Sequence, residues 1–339
     1  TGGKKSLDNN NSTTSADYDS DYQQVKLGLD VLLGQAGNDQ ISLSDFFGEN
    51  TVEKIDGGLG NNSIVGTAED NTLDFSATEM INIDSISGGN GDDVITGSQT
   101  ADTISGGSGN DQLDGQVGND TFLYAGNNNG IDSIDGGAGF DAIHGTDDDD
   151  VIQLSALSNV ELIDGFAGSN KLVGSENADS FDLRNVEVRN ITQIEMLAGN
   201  DVLYASENSD VINPGAGDDE IHAQAGNDIF LISGTDQGFD TLFGGEGNDI
   251  IQGGLLDDSF GFKSLTNEHS IEVIDGNGGY NLIRGNDENN ILDLSNIELV
   301  GIAKIDGAAG DDDITGTVDA DLLIGGSGND SLTGGLGSD

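Results

Sequence analysis

Large apolar residues recur every nine positions along most of this chain. From residue 25 onward, each glycine-rich polar turn is followed by one residue, a large apolar residue and one more residue before the next turn. We count 24 such nine-residue units, and the eighth position is apolar in all 23 units that reach it, as at Ile95, Leu113 and Phe122. A lone apolar residue between polar neighbours indicates a short strand with one inward side chain. The pattern therefore predicts very short strands joined by tight turns, without helices.

The units come in pairs of 18 residues, and most pairs are followed by a spacer of 11–14 residues. Spacers such as residues 75–87 and 294–306 have alternating apolar positions, which is typical of a strand. A pair plus its spacer predicts a coil of about 29–32 residues, interspersed with bare coils of 18 residues. The added strand would widen the coil, and a spacer that loops out over a narrow roll is the alternative.

A longer period of about 110 residues lies above the nine-residue one. The segments that begin at Gly57, Gly165 and Gly276 are similar, and the coils after them keep the same order. The predicted blocks are residues 25–56 (partial), 57–164, 165–275 and 276–339 (partial). We expect residues 25–339 to form one continuous solenoid that belongs to a longer array, and the polar, repeat-free residues 1–24 to be a flexible leader.

Composition excludes several functional classes. The chain has 339 residues, 63 of them acidic and 10 basic, for a formal charge of −53. So few basic residues argue against nucleic acid or anionic membranes as partners, and no apolar run approaches the roughly 18–20 residues of a membrane span. No Cys is present, so disulfides and thiol chemistry are excluded. Low hydrophobicity and high charge are also typical of disordered tails, but the regular Gly and Asp positions argue for ordered turns.

The turn itself has the composition of a hard-cation site. Its form is G-G-x-G-x-D, as in the units that begin at Gly88, Gly106 and Gly244. Glycines at positions 1, 2 and 4 allow the backbone carbonyls to turn towards a common point, and position 6 adds a carboxylate. Oxygen-only ligands of this kind suit calcium. We therefore predict calcium ions between same-side turns of neighbouring coils, which stack by parallel ladder hydrogen bonds about 4.8 Å apart.

The candidate ligands are the turn aspartates and the glycines beside them. The predicted metal-binding aspartates are Asp93, Asp102, Asp111, Asp120, Asp141, Asp150, Asp201, Asp210, Asp219, Asp228, Asp249, Asp258, Asp312, Asp321 and Asp330. The predicted glycines are Gly89, Gly91, Gly107, Gly109, Gly137, Gly139, Gly215, Gly217, Gly245, Gly247, Gly326 and Gly328.

The tandem motif resembles the RTX (repeats-in-toxin) calcium-binding family, whose nonapeptide is G-G-x-G-x-D-x-U-x with U large and apolar. The resemblance covers about residues 25–339, apart from the spacers. It implies an all-β, right-handed parallel β-roll or β-helix that is disordered without calcium. It also implies a secreted protein of a Gram-negative bacterium, exported unfolded by a type I system.

Departures from the motif are periodic. Asn replaces the sixth-position Asp at residues 62, 71, 170, 281 and 290, all in the coils that open the blocks, and we expect weak or absent calcium there. Many second turns of a pair, such as residues 97–102 and 316–321, lack the glycine at position 4 and should be poorer cages. If first turns stack on first turns and second turns on second turns, five and seven neighbouring pairs keep both aspartates, which predicts up to about a dozen ions.

Three functions fit these features. The first is a calcium-stiffened structural or interaction region of a large extracellular protein, such as an adhesin or surface-layer component. The second is a calcium-dependent polysaccharide lyase or epimerase, or a carbohydrate-binding module of one; its candidate groups are few, namely Lys171, Arg184, Arg189, Tyr204, His222 and Arg284. The third is recognition of glycans or ice on a flat face, for which five Tyr and no Trp offer few stacking surfaces. We expect a non-enzymatic monomer whose three His lie at solvent-facing positions.

Overall fold

A computed structural model describes residues 14–15, 31–34, 36–47, 52–235 and 237–339. The predicted leader therefore lies outside the described residues, except for Thr14–Ser15, which pair in parallel with β3. Such a pairing uses backbone groups alone, so it needs no apolar side chain. The chain divides into two compact units, residues 1–170 and 171–339, and each is described by itself.

The described residues form short strands and one 3₁₀ helix at Asn267–His269. The strands are β1 (Thr14–Ser15), β2 (Val31–Leu33), β3 (Gln40–Ser42), β4 (Lys54–Asp56), β5 (Ser63–Val65), β6 (Thr72–Asp74), β7 (Glu79–Ile81), β8 (Ser85–Asn90), β9 (Val94–Thr96), β10 (Thr103–Ser108), β11 (Gln112–Asp114), β12 (Thr121–Leu123), β13 (Asp132–Asp135), β14 (Ala142–His144), β15 (Val151–Ser158), β16 (Leu162–Asp164), β17 (Asn170–Val173), β18 (Ser180–Asp182), β19 (Glu187–Arg189), β20 (Ile191–Glu195), β21 (Val202–Tyr204), β22 (Val211–Asn213), β23 (Glu220–His222), β24 (Ile229–Leu231), β25 (Thr241–Phe243), β26 (Ile250–Gln252), β27 (Ser259–Gly261), β28 (Ser264–Leu265), β29 (Val273–Asp275), β30 (Asn281–Arg284), β31 (Ile291–Asp293), β32 (Glu298–Val300), β33 (Ile302–Asp306), β34 (Asp313–Thr315), β35 (Leu323–Ile324) and β36 (Ser331–Thr333).

Each unit is a parallel β-solenoid, so the predicted all-β β-roll architecture is confirmed. In the first unit, the sheets run β1-β3-β5-β8-β10-β12-β14-β16, β6-β9-β11-β13-β15 and β2-β4-β7. In the second unit, they run β20-β22-β24-β26-β29-β32, β18-β21-β23-β25, β27-β30-β33-β35 and β28-β31-β34-β36. Neighbouring strands come from successive coils, so every pairing is a stacking contact.

The eighth-position residues form the core, as predicted. Ile64, Ile86, Ile104, Phe122 and Ile143 are successive register partners in one sheet, and none is more than 1% exposed. Their neighbours in the strand point outward because side chains alternate across a strand. Each strand therefore adds about one fully buried side chain, which is a small core for the amount of backbone that must be ordered.

The coils are shorter than the predicted 29–32 residues. Ile104 pairs with Ile86 at an offset of 18, Ile64 with Ile86 at 22, and Leu265 with Leu292 at 27. The physical reason is that a spacer strand occupies a place in the solenoid's sheets as a nonapeptide strand does, as β13 does between β11 and β15. The spacer thus forms one side of a coil instead of extending a complete one. Only near β2–β8 and β26–β33 do the spacers add a third sheet that widens the coil, as predicted.

This half-coil length changes which turns are neighbours. The backbone N–H of Asp120, in the second turn of its pair, donates to Asp141 Oδ1, in the first turn of the next pair. Asp228 and Asp249 repeat the arrangement. The prediction that first turns stack only on first turns is therefore wrong across spacers, because each one-strand spacer moves the following pair to the opposite side.

Candidate metal centres in the turns

Sixth-position residues are linked from coil to coil by hydrogen bonds that form carboxylate rows. The N–H of Asp93 donates to Asp111 Oδ1 at 2.7 Å, and the N–H of Asp111 donates to Asp132 Oδ1 at 2.9 Å. Five rows contain unpartnered carboxylate oxygens: row 1 (Asn71, Asp93, Asp111, Asp132), row 2 (Asp102, Asp120, Asp141, Glu161), row 3 (Asp179, Asp201, Asp219, Asp240), row 4 (Asp210, Asp228, Asp249, Glu272) and row 5 (Asn290, Asp312, Asp330).

The inner members of these rows have a buried carboxylate oxygen without a donor. While Oδ1 accepts the neighbouring N–H, Oδ2 has no hydrogen-bond partner among the described residues at Asp93, Asp111, Asp120, Asp141, Asp201, Asp219, Asp228, Asp249 and Asp312. All nine residues are 2% exposed or less. All nine turns have glycine at position 4. A buried carboxylate oxygen without a donor is costly, so this position requires a cation or a proton.

A second acceptor faces each unpartnered oxygen where the turns stack. A methyl group placed on Gly115 would lie 2.6 Å from Asp120 Oδ2 and 2.5 Å from the carbonyl oxygen of Gly136 in the next coil. The same pair of acceptors meets beside Gly307, where Asp312 Oδ2 faces the carbonyl of Gly325. Carboxylate and carbonyl oxygens thus converge without a donor between them. This all-oxygen set is the kind that calcium prefers.

Turns without glycine at position 4 provide their own donors. Asp321 Oδ2 accepts the N–H of Thr317 at 2.6 Å and its hydroxyl at 3.0 Å. Asp102 Oδ2 likewise accepts the N–H of Ser98 at 2.6 Å. The same position-2 donor is present for Asp150, Asp179, Asp210 and Asp258. These turns are closed by hydrogen bonds, and all but the Asp150, Asp258 and Asp321 turns begin one of the five rows.

Three of the asparagine turns are closed by the side-chain amide. Asn170 Nδ2 donates to the carbonyls of Gly165 at 2.8 Å and Ala167 at 3.0 Å. Asn281 Nδ2 makes the equivalent bonds to Gly276 and Gly278. Asn62 Nδ2 donates to the carbonyl of Asn82 in the following coil at 2.9 Å. The amide therefore supplies the donor that the carboxylate turns lack, which gives a physical reason for the periodic loss of Asp.

The comparison with protein families agrees with this geometry. The RTX calcium-binding nonapeptide repeat matches residues 26–45, 47–77, 83–122, 126–156, 197–230, 235–260, 270–296 and 306–339. The chain belongs to the RTX calcium-binding nonapeptide repeat family. The predicted family is confirmed, and with it the assignment of the repeats as calcium-binding. A search of curated proteins found no match to this chain.

RTX repeats form a structural calcium-binding region, and proteins that carry them are typically secreted. The nine unpartnered oxygens fit calcium by donor type, and the ion would supply the positive charge that those turns lack. Within the described residues, no helix is long and apolar enough to cross a membrane.

All predicted glycines adopt the backbone that the RTX turn requires. Gly89, Gly91, Gly107, Gly109, Gly137, Gly139, Gly215, Gly217, Gly245, Gly247, Gly326 and Gly328 have φ between +91° and +154°. Of the predicted aspartates, nine have the unpartnered oxygen, five are hydrogen-bonded by their own turns, and Asp330 is partly exposed at the end of row 5.

The spacer carboxylates were missed by sequence reasoning. Asp132, Glu161, Asp240 and Glu272 end rows 1 to 4, each accepting the N–H of the preceding row member. The signal was present in the sequence, because each of these acids lies two residues before an inward apolar residue, as in the nonapeptide. The remaining oxygen of Asp132 accepts the hydroxyl of buried Tyr124 at 2.6 Å.

Burial makes these carboxylates hard to ionise in the absence of a cation. It raises the pKa of Asp93 and Asp201 to about 6, and that of Asp120, Asp219 and Asp228 to about 7, although each carboxylate accepts a backbone N–H that acts in the opposite direction. Neighbouring row members add repulsion. The charged form therefore requires a compensating cation.

Without calcium, acidification should favour the folded chain. The folded pKa values of about 6–7 lie above the ordinary value of 3.8, so the folded state binds more protons between these limits. The contribution of these groups to stability is complete below about pH 4 and is lost as the pH rises through 6–7. Far-ultraviolet circular dichroism in metal-free buffer should show more β-structure at pH 5 than at pH 8. Equal disorder at both values would contradict this account of the turns.

The residues considered for a lyase site are engaged in other contacts. Lys171 pairs with Glu195 at 2.6 Å, and Arg184 pairs with Asp182 at 2.6 Å while it lies over the ring of Tyr204. The remaining contacts are Arg189 with Glu187, His222 with Glu220, and Arg284 over the ring of Phe239.

A column of stacked rings crosses successive coils of the second unit. Tyr204, His222, Phe243 and His269 stack at centroid distances of 4.5–4.9 Å, close to the spacing between coils. The rings therefore cover one another's faces. His269 is 6% exposed, so the prediction that all three His face solvent is wrong for this one: its ring packs on Phe243, and its Nδ1 contacts the backbone of Thr266.

Proposed function

We propose that this chain is a calcium-folded structural and interaction region of a large extracellular protein exported by type I secretion, such as an adhesin or surface-layer component. The observation that carries the proposal is the set of nine buried Asp Oδ2 atoms that lack donors and face backbone carbonyls. These nine turns are the proposed calcium sites, and the hydrogen-bonded Asp and Asn turns are proposed to bind none. Up to nine turn sites replace the earlier upper count of about a dozen.

A rod of RTX coils suits a spacer role because its stability is spread along the chain. Each coil contacts its neighbours alone, as in other repeat proteins, so length can be added without a new core. Calcium between coils would couple those neighbours. In the cell the chain would stay unfolded for export, and millimolar calcium outside would fold it by binding to the folded state alone.

The lyase alternative has a direct test. Polysaccharide lyases release 4,5-unsaturated products that absorb in the ultraviolet, and we expect none when the calcium-loaded protein is incubated with alginate or pectate. The reason is that the basic and aromatic candidates are held in ion pairs and ring stacks. Product formation that is abolished by Arg184→Ala would replace the structural proposal with an enzymatic one.

Calcium stoichiometry tests the site assignment. Asp228→Asn should lose one calcium ion, because Asp228 Oδ2 is unpartnered and an amide nitrogen cannot bind a cation. Asp210→Asn is the matched control: it changes the neighbouring member of row 4, whose Oδ2 already accepts the N–H and hydroxyl of Ser206. Native mass spectrometry counts the ions on each variant. Equal losses from both variants would show that the hydrogen-bonded turns also bind calcium.

A further inference from the structure

Two spacers replace a nonapeptide turn by a much tighter corner. In each, a single residue with left-handed backbone precedes a glutamate by two positions: Asn159 (φ 52°) before Glu161, and Ser270 (φ 52°) before Glu272. These corners follow the Asp141 and Asp249 turns in rows 2 and 4. They contain no G-G-x-G-x-D sequence, so the nonapeptide rule assigns them no ion.

The corner carbonyls occupy the place of the next coil's turn. A methyl group placed on Gly244 would clash with both the carbonyl oxygen of Ser270 and Asp249 Oδ2. At the equivalent point, a methyl group on Gly136 would clash with the carbonyl oxygen of Asn159. Two acceptors therefore meet beside Asp249 Oδ2 without a donor, as they do between two nonapeptide turns.

The glutamates bring a second carboxylate to these points. Asp141 N–H donates to Glu161 Oε2 at 2.7 Å, and Asp249 N–H donates to Glu272 Oε2 at 2.7 Å. Asp141 and Asp249 are completely buried, and their Oδ2 atoms have no partner among the described residues. Two adjacent carboxylates and a carbonyl, without an intervening cationic side chain, form an oxygen-only group of net negative charge.

A third corner of the same form serves as the natural contrast. Asn82 (φ 53°) precedes Asp84 by two positions, and Asn62 N–H donates to Asp84 Oδ2 at 2.6 Å. Here the row member is Asn62, and its amide nitrogen donates to the Asn82 carbonyl. The carbonyl that would face a cation is already satisfied. The corner alone therefore does not create the open group of acceptors; the buried Asp is also required.

We propose that Glu161 and Glu272 are calcium ligands that close rows 2 and 4, Glu161 together with Asp141 Oδ2 and the Asn159 carbonyl, and Glu272 together with Asp249 Oδ2 and the Ser270 carbonyl. This inference rests on the proposed calcium sites of the nonapeptide turns. It extends calcium binding to spacer residues, which thereby do more than fill a side of the coil. Calcium takes six to eight oxygen ligands, so a carboxylate at each corner compensates for the missing turn.

The test is a count of calcium ions on charge-removing variants of the full chain. Glu161→Gln and Glu272→Gln keep an oxygen that can accept the Asp N–H but remove the charge. Each single variant should lose one ion in native mass spectrometry, and the double variant should lose two. The calcium midpoint of folding, followed by circular dichroism, should rise by at least threefold in the double variant. Asp84→Asn is the matched control and should leave both the count and the midpoint unchanged.

The outcomes separate this inference from the function on which it rests. If the wild-type chain binds no calcium, the proposed calcium sites fail. If the wild type binds calcium and Asp228→Asn loses an ion, but both glutamine variants keep the wild-type count and midpoint, the spacer ligands alone are refuted. The single variants keep the test decisive if the double variant does not fold, because each alters only one row end.

Discussion

Removal of calcium should unfold this chain almost completely. In metal-free buffer at pH 7.5 we expect a disordered far-ultraviolet spectrum, and in millimolar calcium a β-rich one with a cooperative midpoint. The physical reason is that nine carboxylates are buried without donors, within a chain of formal charge −53. About one buried side chain per strand cannot also offset that repulsion and the entropy of ordering the turns. Binding to the folded state must supply the difference.

Magnesium is the appropriate control for this experiment. It has the same charge, but it demands a nearly octahedral arrangement at shorter distances and gives up water reluctantly, so the turn carbonyls should serve it poorly. Equal concentrations of magnesium should leave the chain mostly disordered. A full β-spectrum and a high melting temperature in metal-free buffer would contradict the coupling of calcium binding to folding.

Gly217→Ala should be among the most damaging single substitutions. Gly217 has φ 144°, a conformation that L-residues rarely adopt and that costs about 1–3 kcal/mol. A methyl group at this position would also clash with the carbonyl oxygen of Gly199 in the preceding coil, which adds about 1–3 kcal/mol if the backbone must move. The displaced coil carries Asp201, whose N–H donates to Asp219 Oδ1. We expect a loss of about 3 kcal/mol and a higher calcium midpoint of folding.

Gly37→Ala separates backbone strain from the clash between coils. Gly37 has a similar φ of 136°, but a methyl group there would meet nothing within 4 Å among the described residues. Its substitution should therefore cost only the backbone part, about 1–3 kcal/mol. Melting temperatures of both variants in saturating calcium measure the difference. Equal losses would show that close stacking of the turns contributes little to stability.

The turn chemistry could be read from the sequence only in part. The nonapeptide predicts the inward Ile, Leu and Phe residues and the positive-φ glycines because both depend on local spacing. It does not distinguish Asp120 from Asp102, although both occupy the sixth position. That difference depends on whether position 2 offers a donor to Oδ2, as Ser98 does for Asp102. A glycine at position 4 in the sequence coincides with the open turns, which makes it the better sequence marker of a candidate site.

The spacers show where sequence reasoning stops. Their alternating apolar residues predict strands correctly, but not the side of the coil that each strand occupies. That choice is made by register, since β13 pairs with β11 and β15 and so shifts the following pair of turns to the opposite side. Asp132, Glu161, Asp240 and Glu272 thereby arrive at the ends of rows, next to aspartates 20–23 residues earlier in the chain.

The sequence by itself determined the parallel β-roll, its core positions, the RTX family and the oxygen chemistry of its turns. All of these follow from a nine-residue period, which acts through neighbours along the chain. Tertiary structure decided which turns face each other, which carboxylates lack a donor and which spacer acids join them. Those properties depend on the stacking of coils 18–27 residues apart, where a change of a few residues in spacer length alters every later contact.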